Sequence, residues 1–245
     1  MKFENTQVFN FEGALRGMRN PMNSWDKSDS KYEPDQVYAT NSKGEKLLSF
    51  CIGKKYVIGE NDLTLAQKLI KNGSEHRKFL RQIFISVDIT APLYWWKEYD
   101  TYKVGTVANS CSTMHKLTSV PITKDCFEID DCNLDLSYTQ KLDNIDFTFS
   151  IDSEFLSIID FLESLRLKYL ETKDKTYWKE LIRFLPESWL QKRTCTLNYE
   201  NVLSIINQRS EHKLNEWSGK DNSTKPNFIA WAKTLPYAQE LLFIK

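Results

Sequence analysis

Turn-forming residues are scarce in this sequence. Its 245 residues include only eight glycines and seven prolines, whereas 41% are hydrophobic and 13% are aromatic. A chain so poor in glycine and proline is neither collagen-like nor a turn-rich β protein. Because its apolar content is enough for a substantial core, we predict a compact, helix-rich globular protein.

Net charge is also lacking, since 33 basic residues balance 33 acidic ones. A neutral chain has no overall field to attract nucleic acid or an anionic membrane, so we expect neither partner. No apolar run approaches the roughly 20 residues of a membrane span. The opening MKFENTQVF has no apolar core of a signal peptide, and we expect a cytoplasmic protein.

Familiar catalytic motifs are missing as well. The five cysteines form no C-x-x-C pair, and His76, His115 and His212 lie far apart in the chain, so we predict no metal site. The absence of G-x-S-x-G, P-loop and G-x-G-x-x-G motifs leaves serine hydrolase, phosphoryl-transfer and Rossmann functions without support. Cys111 is a candidate reactive thiol only in an electropositive setting.

The hydrophobic periodicity that is present predicts a single α+β domain over residues 1–245, with a mixed or antiparallel sheet flanked by long helices. Strands are expected at 7–13, 47–53, 54–59 and 83–90, the middle two as a hairpin. Helices are expected from Asn61 or Asp62, from Ser74, from Pro92, near Ser153 and from Tyr199. Residues 23–36 and 118–150 are predicted to be irregular.

One segment, KVGTVANSCSTMHK at 103–116, is rich in short hydrogen-bonding side chains. Gly105 permits close approach of the backbone, and Asn109, Ser110 and Ser112 offer compact donors and acceptors. Such a segment can cradle a phosphate or a heterocycle. It can equally be a turn whose side chains cap neighbouring backbone groups.

The helix predicted from Tyr199 places Arg209 on the same face as apolar residues, among them Val202 and Ile206. Burying an unpaired guanidinium costs several kcal/mol, so its partner must be a carboxylate or a bound anion. The alternatives are an internal ion pair or a side chain that reaches solvent at the helix end. A nearby aromatic run, Trp95 to Tyr102, could stack on a flavin or a base, or simply form core.

Three segments occur in a telling order: LIKNGSEHRKFLRQIFISVDITAP, WWKEYDTYKVGTVANSCSTMH and LNYENVLSIINQRSEHKLNEW. This order resembles that of the flavin-dependent thymidylate synthases. In that family a helix ends in glycine before a serine, glutamate and histidine cluster. Then follows a signature that begins R-H-R, continues with serines and closes with arginine, and a late helix bears another arginine.

The resemblance includes departures at the signature. Tyr102, Lys103 and Val104 stand in place of R-H-R, or residues 101–103 if the register moves by one, and Met114 stands in place of the closing arginine. Ser112 matches. The similar scaffold therefore carries fewer positive charges, and lysine lacks the planar fork with which arginine grips phosphate.

The resemblance implies a fold like that of the thymidylate-synthase-complementing proteins, assembled as a homotetramer. It implies that FAD and dUMP share sites built by several subunits, and that reduced flavin relays a one-carbon unit from methylenetetrahydrofolate to the pyrimidine C5. By matched position the substrate-binding residues would be Arg209, Ser112, Ser110 and Asn109. The cofactor-binding residues would be His76, Lys103, Tyr102 and Asn215, and no catalytic residue is assigned. The alternative is a non-catalytic nucleotide-binding or assembly protein with a repurposed site.

Overall fold

The computed structural model describes residues 1–143, 145–220 and 224–244. The strands in these ranges are β1 (Lys2–Phe9), β2 (Lys31–Thr40), β3 (Lys46–Val57), β4 (Phe84–Pro92), β5 (Val107–Ser110), β6 (Ser137–Leu142), β7 (Ile145–Ser150) and β8 (Leu190–Asn198). The helices are α1 (Phe11–Arg19), α2 (Glu60–Lys71), α3 (Leu93–Tyr99), α4 (Thr113–Lys116), α5 (Ile151–Thr172), α6 (Lys175–Arg183), α7 (Tyr199–Arg209), α8 (Asn215–Ser218), α9 (Phe228–Ala232) and α10 (Ala238–Leu241). None of these helices is long and apolar enough to span a membrane.

The described strands form one four-stranded sheet, in the order β1-β4-β8-β5, and two antiparallel hairpins, β2-β3 and β6-β7. Alternating side chains of β4 are buried, among them Ile85, Val87 and Ile89. That alternation is what the pattern IFISVDIT predicted. The mixture of helices with antiparallel hairpins confirms the α+β class.

The chain divides into two compact units. Unit 1 consists of Met1–Glu4, Asp88–Lys103 and Ala108–Cys195, and unit 2 consists of Asn5–Val87, Val104–Val107 and Thr196–Lys245. The single domain expected from the sequence stays a prediction.

Unit 1 has a core in which α5 and α6 contribute Leu162 and Leu181. Phe127 and Trp189 pack against them with their rings edge to face, the centroids 5.5 Å apart. A capping box opens α5, in which Ser150 and Ser153 each accept a hydrogen bond from the other's backbone N–H. That geometry satisfies N–H groups that the first turn of a helix leaves without partners.

Unit 2 has a core around the buried side chains of α1, α7 and the C-terminal helices, including Leu15, Tyr199 and Phe228. Tyr199 is anchored at both ends, since its backbone N–H donates to Ile83 O at 3.0 Å and its hydroxyl donates to Pro236 O at 2.6 Å. Burial raises the pKa of the Tyr199 hydroxyl far above its usual value, so the phenol stays a neutral donor.

Unit 2 also contains a buried ion pair. The Arg19 Nε donates to Asp62 Oδ1 at 2.5 Å, and neither side chain is more than 5% exposed. Ser28 and Ser30 donate their hydroxyls to the other carboxylate oxygen. A buried carboxylate that is paired and hydrogen-bonded on both oxygens ties α1, α2 and the intervening segment together.

Several predicted elements are corrected by the structure. The hairpin predicted within 47–59 is instead formed by β3 with β2, so part of the segment predicted to be irregular at 23–36 is a strand. Gly53 lies inside β3 and not at a turn. Its φ is +157°, and the pairing of β3 with β2 is irregular at this point. The turn of the hairpin spans residues 41–45. Residues 118–150 contain the hairpin β6-β7, also predicted to be irregular.

Helix starts differ as well. The N-cap of α2 is Gly59 and not Asn61 or Asp62. The backbone N–H groups of Asn61 and Asp62 donate to the carboxylate of Asp29, and the Asp62 side chain turns inward to Arg19. The helix expected from Ser74 is a 3-10 segment at Lys78–Gln82. The strand β8 was not predicted, since most of its side chains are polar on both faces.

Candidate functional site

The polar segment 103–116 contains β5 and the short helix α4. Lys103, Asn109 and Ser110 are exposed, and Tyr102 is half-buried. The backbone N–H of Tyr102 donates to Tyr99 O and closes a turn. Ser112 is the N-cap of α4, where its hydroxyl oxygen accepts from His115 N at 3.1 Å. The capping interpretation of the segment is therefore correct for Ser112, and the exposed polar side chains of β5 stay available to solvent.

Gly105 makes the close backbone approach expected from the sequence. Its φ is +77°, and a Cβ on this residue would lie 2.8 Å from Nδ2 of Asn198. Asn198 and Asn201 form the capping box of α7, and Asn201 Nδ2 donates to Val104 O at 2.6 Å. Residues 104–107, part of unit 2, are thus fixed on the first turn of α7.

Sequence reasoning missed this pair of asparagines. The signal was available, because an asparagine followed three residues later by a second hydrogen-bonding side chain, just before the apolar run of α7, is a helix-start pattern. The pattern could not show that the second asparagine also reaches the backbone at Val104.

Within unit 1, Cys111 is joined to β8 by two backbone contacts. Its N–H donates to Lys192 O at 2.9 Å, and its carbonyl accepts from Gln191 Nε2 at 2.8 Å. Arg193 donates to Gln191 Oε1 and to Asp100 Oδ1 at 2.9 and 2.8 Å. Its guanidinium carbon also lies 4.2 Å from the centre of a Trp96 ring, a cation–π contact.

Trp95, Trp96 and Tyr99 form core. Each is at most 2% exposed, and the ring centroids of Trp95 and Tyr99 lie 5.2 Å apart in a stacked arrangement. Burial raises the pKa of the Tyr99 hydroxyl far above its usual value and raises the pKa of the Cys195 thiol to about 11. Both groups are neutral at pH 7, so neither is poised as an ionised nucleophile.

Arg209 lies at the C-terminal end of α7 and is half-buried. Its guanidinium carbon is 5.2 Å from the ring centre of the fully buried Trp217. The apolar face predicted for this helix is present, since Val202, Ile205 and Ile206 are buried. The arginine continues that face onto an aromatic ring, which leaves the planar cation partly desolvated.

Asn215 opens α8, two residues before Trp217, and is half-buried. Two of the predicted residues are therefore linked to Trp217: Arg209 packs on its ring, and Asn215 lies in the same short helix. Both belong to unit 2.

His76 lies in a different part of unit 2. It is exposed and lines a cavity of about 560 Å³, together with Met18, Leu69, Phe79 and Gln82 among others. Neither Arg209 nor Asn215 is among the described residues that line this cavity. The remaining predicted residues, Tyr102, Lys103, Asn109, Ser110 and Ser112, belong to unit 1.

An ion pair between Arg77 and Glu200 lies at the first turn of α7. Arg77 Nε donates to both carboxylate oxygens of Glu200, at 3.1 and 2.9 Å, and both side chains are mostly buried. Across the part of the chain that the structure describes, no cluster of His, Cys, Asp or Glu could hold a metal ion.

Comparison with solved structures finds similar folds. The crystal structure of the flavin-dependent thymidylate synthase ThyX from Helicobacter pylori, complexed with FAD and dUMP, matches with a TM-score of 0.62 over 99% of this chain and 98% of that chain. This chain shares the ThyX fold. A second crystal structure of ThyX from the same organism, also with FAD and dUMP, matches with the same TM-score over 99% and 97% of the two chains.

The sequence identity to ThyX is only 16% in both cases. No protein-family model matches the chain, and no curated protein matches it. The likeness to ThyX is therefore one of fold.

Proposed function

We propose that this protein binds a pyrimidine nucleotide of the dUMP class. The proposal depends on one observation above the others, that the ThyX fold extends over 99% of the chain, and the ThyX structures hold dUMP. Arg209 supplies the chemistry, since a partly desolvated guanidinium against Trp217 can hydrogen-bond an anionic or carbonyl-rich ligand.

In this proposal Ser112, Ser110 and Asn109 hold the phosphate of the nucleotide. Ser110 and Asn109 are exposed on β5 and carry small polar groups that can donate. Ser112 uses one lone pair to cap α4, and a hydroxyl with one acceptor position in use still has its O–H to offer.

We propose that FAD is a cofactor, and that this chain binds it less tightly than a protein with R-H-R at residues 102–104 would. Of Tyr102, Lys103 and Val104, only Lys103 is cationic, and Val104 directs its carbonyl to Asn201. Each lost charge-assisted hydrogen bond is worth about 1.5 to 3 kcal/mol, so replacing two arginines with a phenol and a valine weakens the grip on a pyrophosphate. His76 and Asn215 are the other groups assigned to FAD. When bound, the flavin would supply the transfer of a one-carbon unit from methylenetetrahydrofolate to the pyrimidine C5, in a cytoplasmic homotetramer.

The second candidate function is non-catalytic nucleotide binding on the same scaffold. The exposed Val104, 87% accessible at a position where the resemblance expects arginine, favours it. An apolar side chain there offers nothing to a phosphate.

Calorimetric titration with dUMP, and an absorbance spectrum of the protein as purified and after addition of FAD, test these proposals. We expect dUMP to bind, and Arg209→Ala to weaken it by about tenfold or more. The matched control is Arg81→Ala, which removes another arginine of unit 2 that is exposed. Failure of the wild type to bind dUMP, or equal affinity in Arg209→Ala, contradicts nucleotide binding at this site. Binding of dUMP without any flavin absorbance selects the non-catalytic function.

A further inference from the structure

Two adjoining cavities in unit 2 involve none of the residues assigned above. The larger, the aromatic cleft, has a volume of about 740 Å³. Five aromatic side chains line it: Phe9, Phe11, Tyr32, Tyr56 and Tyr237. Clefts of this size with aromatic walls and a few polar groups are typical of small-molecule sites.

The walls of the aromatic cleft are held in place by specific contacts. Tyr32 and Tyr56 meet edge to face across the β2-β3 hairpin with centroids 5.2 Å apart, and Phe11 meets Tyr237 at 5.6 Å. The Tyr237 hydroxyl accepts from Ile58 N at 2.9 Å. Tyr237 has a φ of +55°, a conformation that costs a bulky residue energy and that recurs at ligand sites.

The smaller space, the cationic cavity, has a volume of about 270 Å³ and shares Glu12, Tyr32 and Tyr56 with the aromatic cleft. Three cations line it: Arg16, Arg19 and Lys31. Ser28 and Ser30 also line it, but their hydroxyls donate to Asp62, and Trp25 adds an aromatic edge. A space of this size suits an anion such as a phosphate group, and the N–H groups of the three cations are the donors that line it.

One donor at the cationic cavity lacks an acceptor. Arg19 is 4% exposed; its Nε donates to Asp62 and its Nη1 to Ser24 O at 3.3 Å, but Nη2 is buried with no acceptor among the described residues. Buried guanidinium N–H groups are nearly always satisfied. Lys31 can also turn to a bound anion at little cost. Its 3.2 Å ion pair with Glu33 lies on the surface, where ion pairs contribute little to stability.

We propose that the two cavities together bind a nucleoside monophosphate whose base carries an amino group. The phosphate lies in the cationic cavity, reached by Arg16, Lys31 and, after a small adjustment, Arg19 Nη2. The base packs on Tyr32 and Tyr56, which both cavities share. Glu33, which lines the aromatic cleft, accepts a hydrogen bond from the amino group of the base. A base with a carbonyl in that position could not donate this hydrogen bond.

Calorimetric titration with AMP, IMP, adenosine and inorganic phosphate tests each part of this proposal. AMP and IMP differ at the amino group, so AMP should bind more tightly than IMP. Adenosine and phosphate each lack one half of the ligand, so each should bind about tenfold or more weakly than AMP.

Two variants assign the binding to these cavities. Arg16→Ala should weaken AMP by about tenfold while leaving adenosine unchanged, and Tyr56→Ala should weaken both through lost stacking. Arg16 is exposed and Tyr56 half-buried, so the fold should survive either change, which circular dichroism checks. Arg81→Ala is the matched control and should change nothing.

Some results would overturn the proposal. These are no AMP binding by the wild type, unchanged affinity in both variants, or phosphate alone binding as tightly as AMP. Arg209→Ala separates this site from the proposed pyrimidine site: AMP affinity should survive in that variant, and its loss would place AMP at Arg209 and contradict the inference.

Discussion

Asp62 shows how one residue links the stability of unit 2 to pH. Burial alone would raise the pKa of its carboxyl, but hydrogen bonds from Ser28, Ser30 and Arg19, with the charge of Arg19, hold the pKa below its usual value. The pKa of this carboxyl is lower in the folded chain than in the unfolded chain, where it is about 3.9. At a pH above the unfolded pKa, the ionised carboxylate stabilises the fold fully. That stabilisation is lost as the pH falls from there through the folded value.

We therefore predict that Asp62→Asn lowers the free energy of unfolding at pH 7 by about 3 to 5 kcal/mol, because the buried Arg19 loses its counter-charge. The variant should also lose less stability than the wild type between pH 5 and pH 3, since its titrating group is gone. Urea denaturation at a series of pH values measures both effects. Asp26→Asn, at an exposed aspartate of the same region, is the control, and an equal acid loss in Asp62→Asn and wild type would count against this account.

At the scale of elements, the contact between residues 104–107 and α7 depends on a glycine. Gly105 and Gly44 have nearly the same positive φ, +77° and +80°, but a Cβ on Gly44 would meet nothing within 4 Å. A Cβ on Gly105 would meet the Asn198 amide that caps α7. The two glycines thus separate the cost of the left-handed conformation from the cost of the close approach.

We predict that Gly44→Ala destabilises the protein by about 1 to 2 kcal/mol, the cost of a left-handed alanine. Gly105→Ala should cost more by about 1 kcal/mol, because the Asn198 cap must also shift or break. Urea denaturation of both variants gives the difference directly. Equal losses would mean that Asn198 moves aside without weakening α7.

Elements with a regular apolar pattern could be predicted from the sequence. The alternation in β4 and the periodicity of α5 and α7 each bury one face against their own neighbours, so the local pattern carried the information. The strands β2 and β8 could not be recognised in this way. Residues 31–40 include Pro34 and several charges, and their strand is specified by pairing with β3.

The candidate site was predictable only in part. Arg209 was predicted as a site residue because a charge interrupted an apolar stripe. The structure places its guanidinium over Trp217, and its role in binding a ligand stays a prediction. The two cavities that Tyr32 and Tyr56 line could not be predicted from the sequence, because their lining residues come from four separate stretches of chain. No local spacing records such a meeting of distant residues.

At the scale of the whole molecule, the apolar side chains that stay exposed bear on assembly. On α5 they include Phe161 and Leu167, 43% and 52% exposed, and Phe161 lies edge to face with the exposed Phe184 at 5.3 Å. The hairpin β6-β7 adds Tyr138, Phe147 and others. Unit 2 has exposed apolar side chains as well, among them Met22 and Ile52. Large exposed apolar groups such as those on α5 are typical of a protein interface, and the homotetramer predicted from the family resemblance requires such an interface.

We predict that Phe161→Asp dissociates the proposed homotetramer, because a carboxylate introduced into an apolar interface would be buried without a partner. Light scattering coupled to size-exclusion chromatography should show a smaller species than the wild type at the same concentration. Thr64→Asp, at an exposed polar residue of α2 in unit 2, should leave the mass unchanged. If the nucleotide site is built by several subunits, Phe161→Asp should also lose dUMP binding while AMP binding in unit 2 persists. An unaltered mass for Phe161→Asp would show that this face of α5 is not the interface.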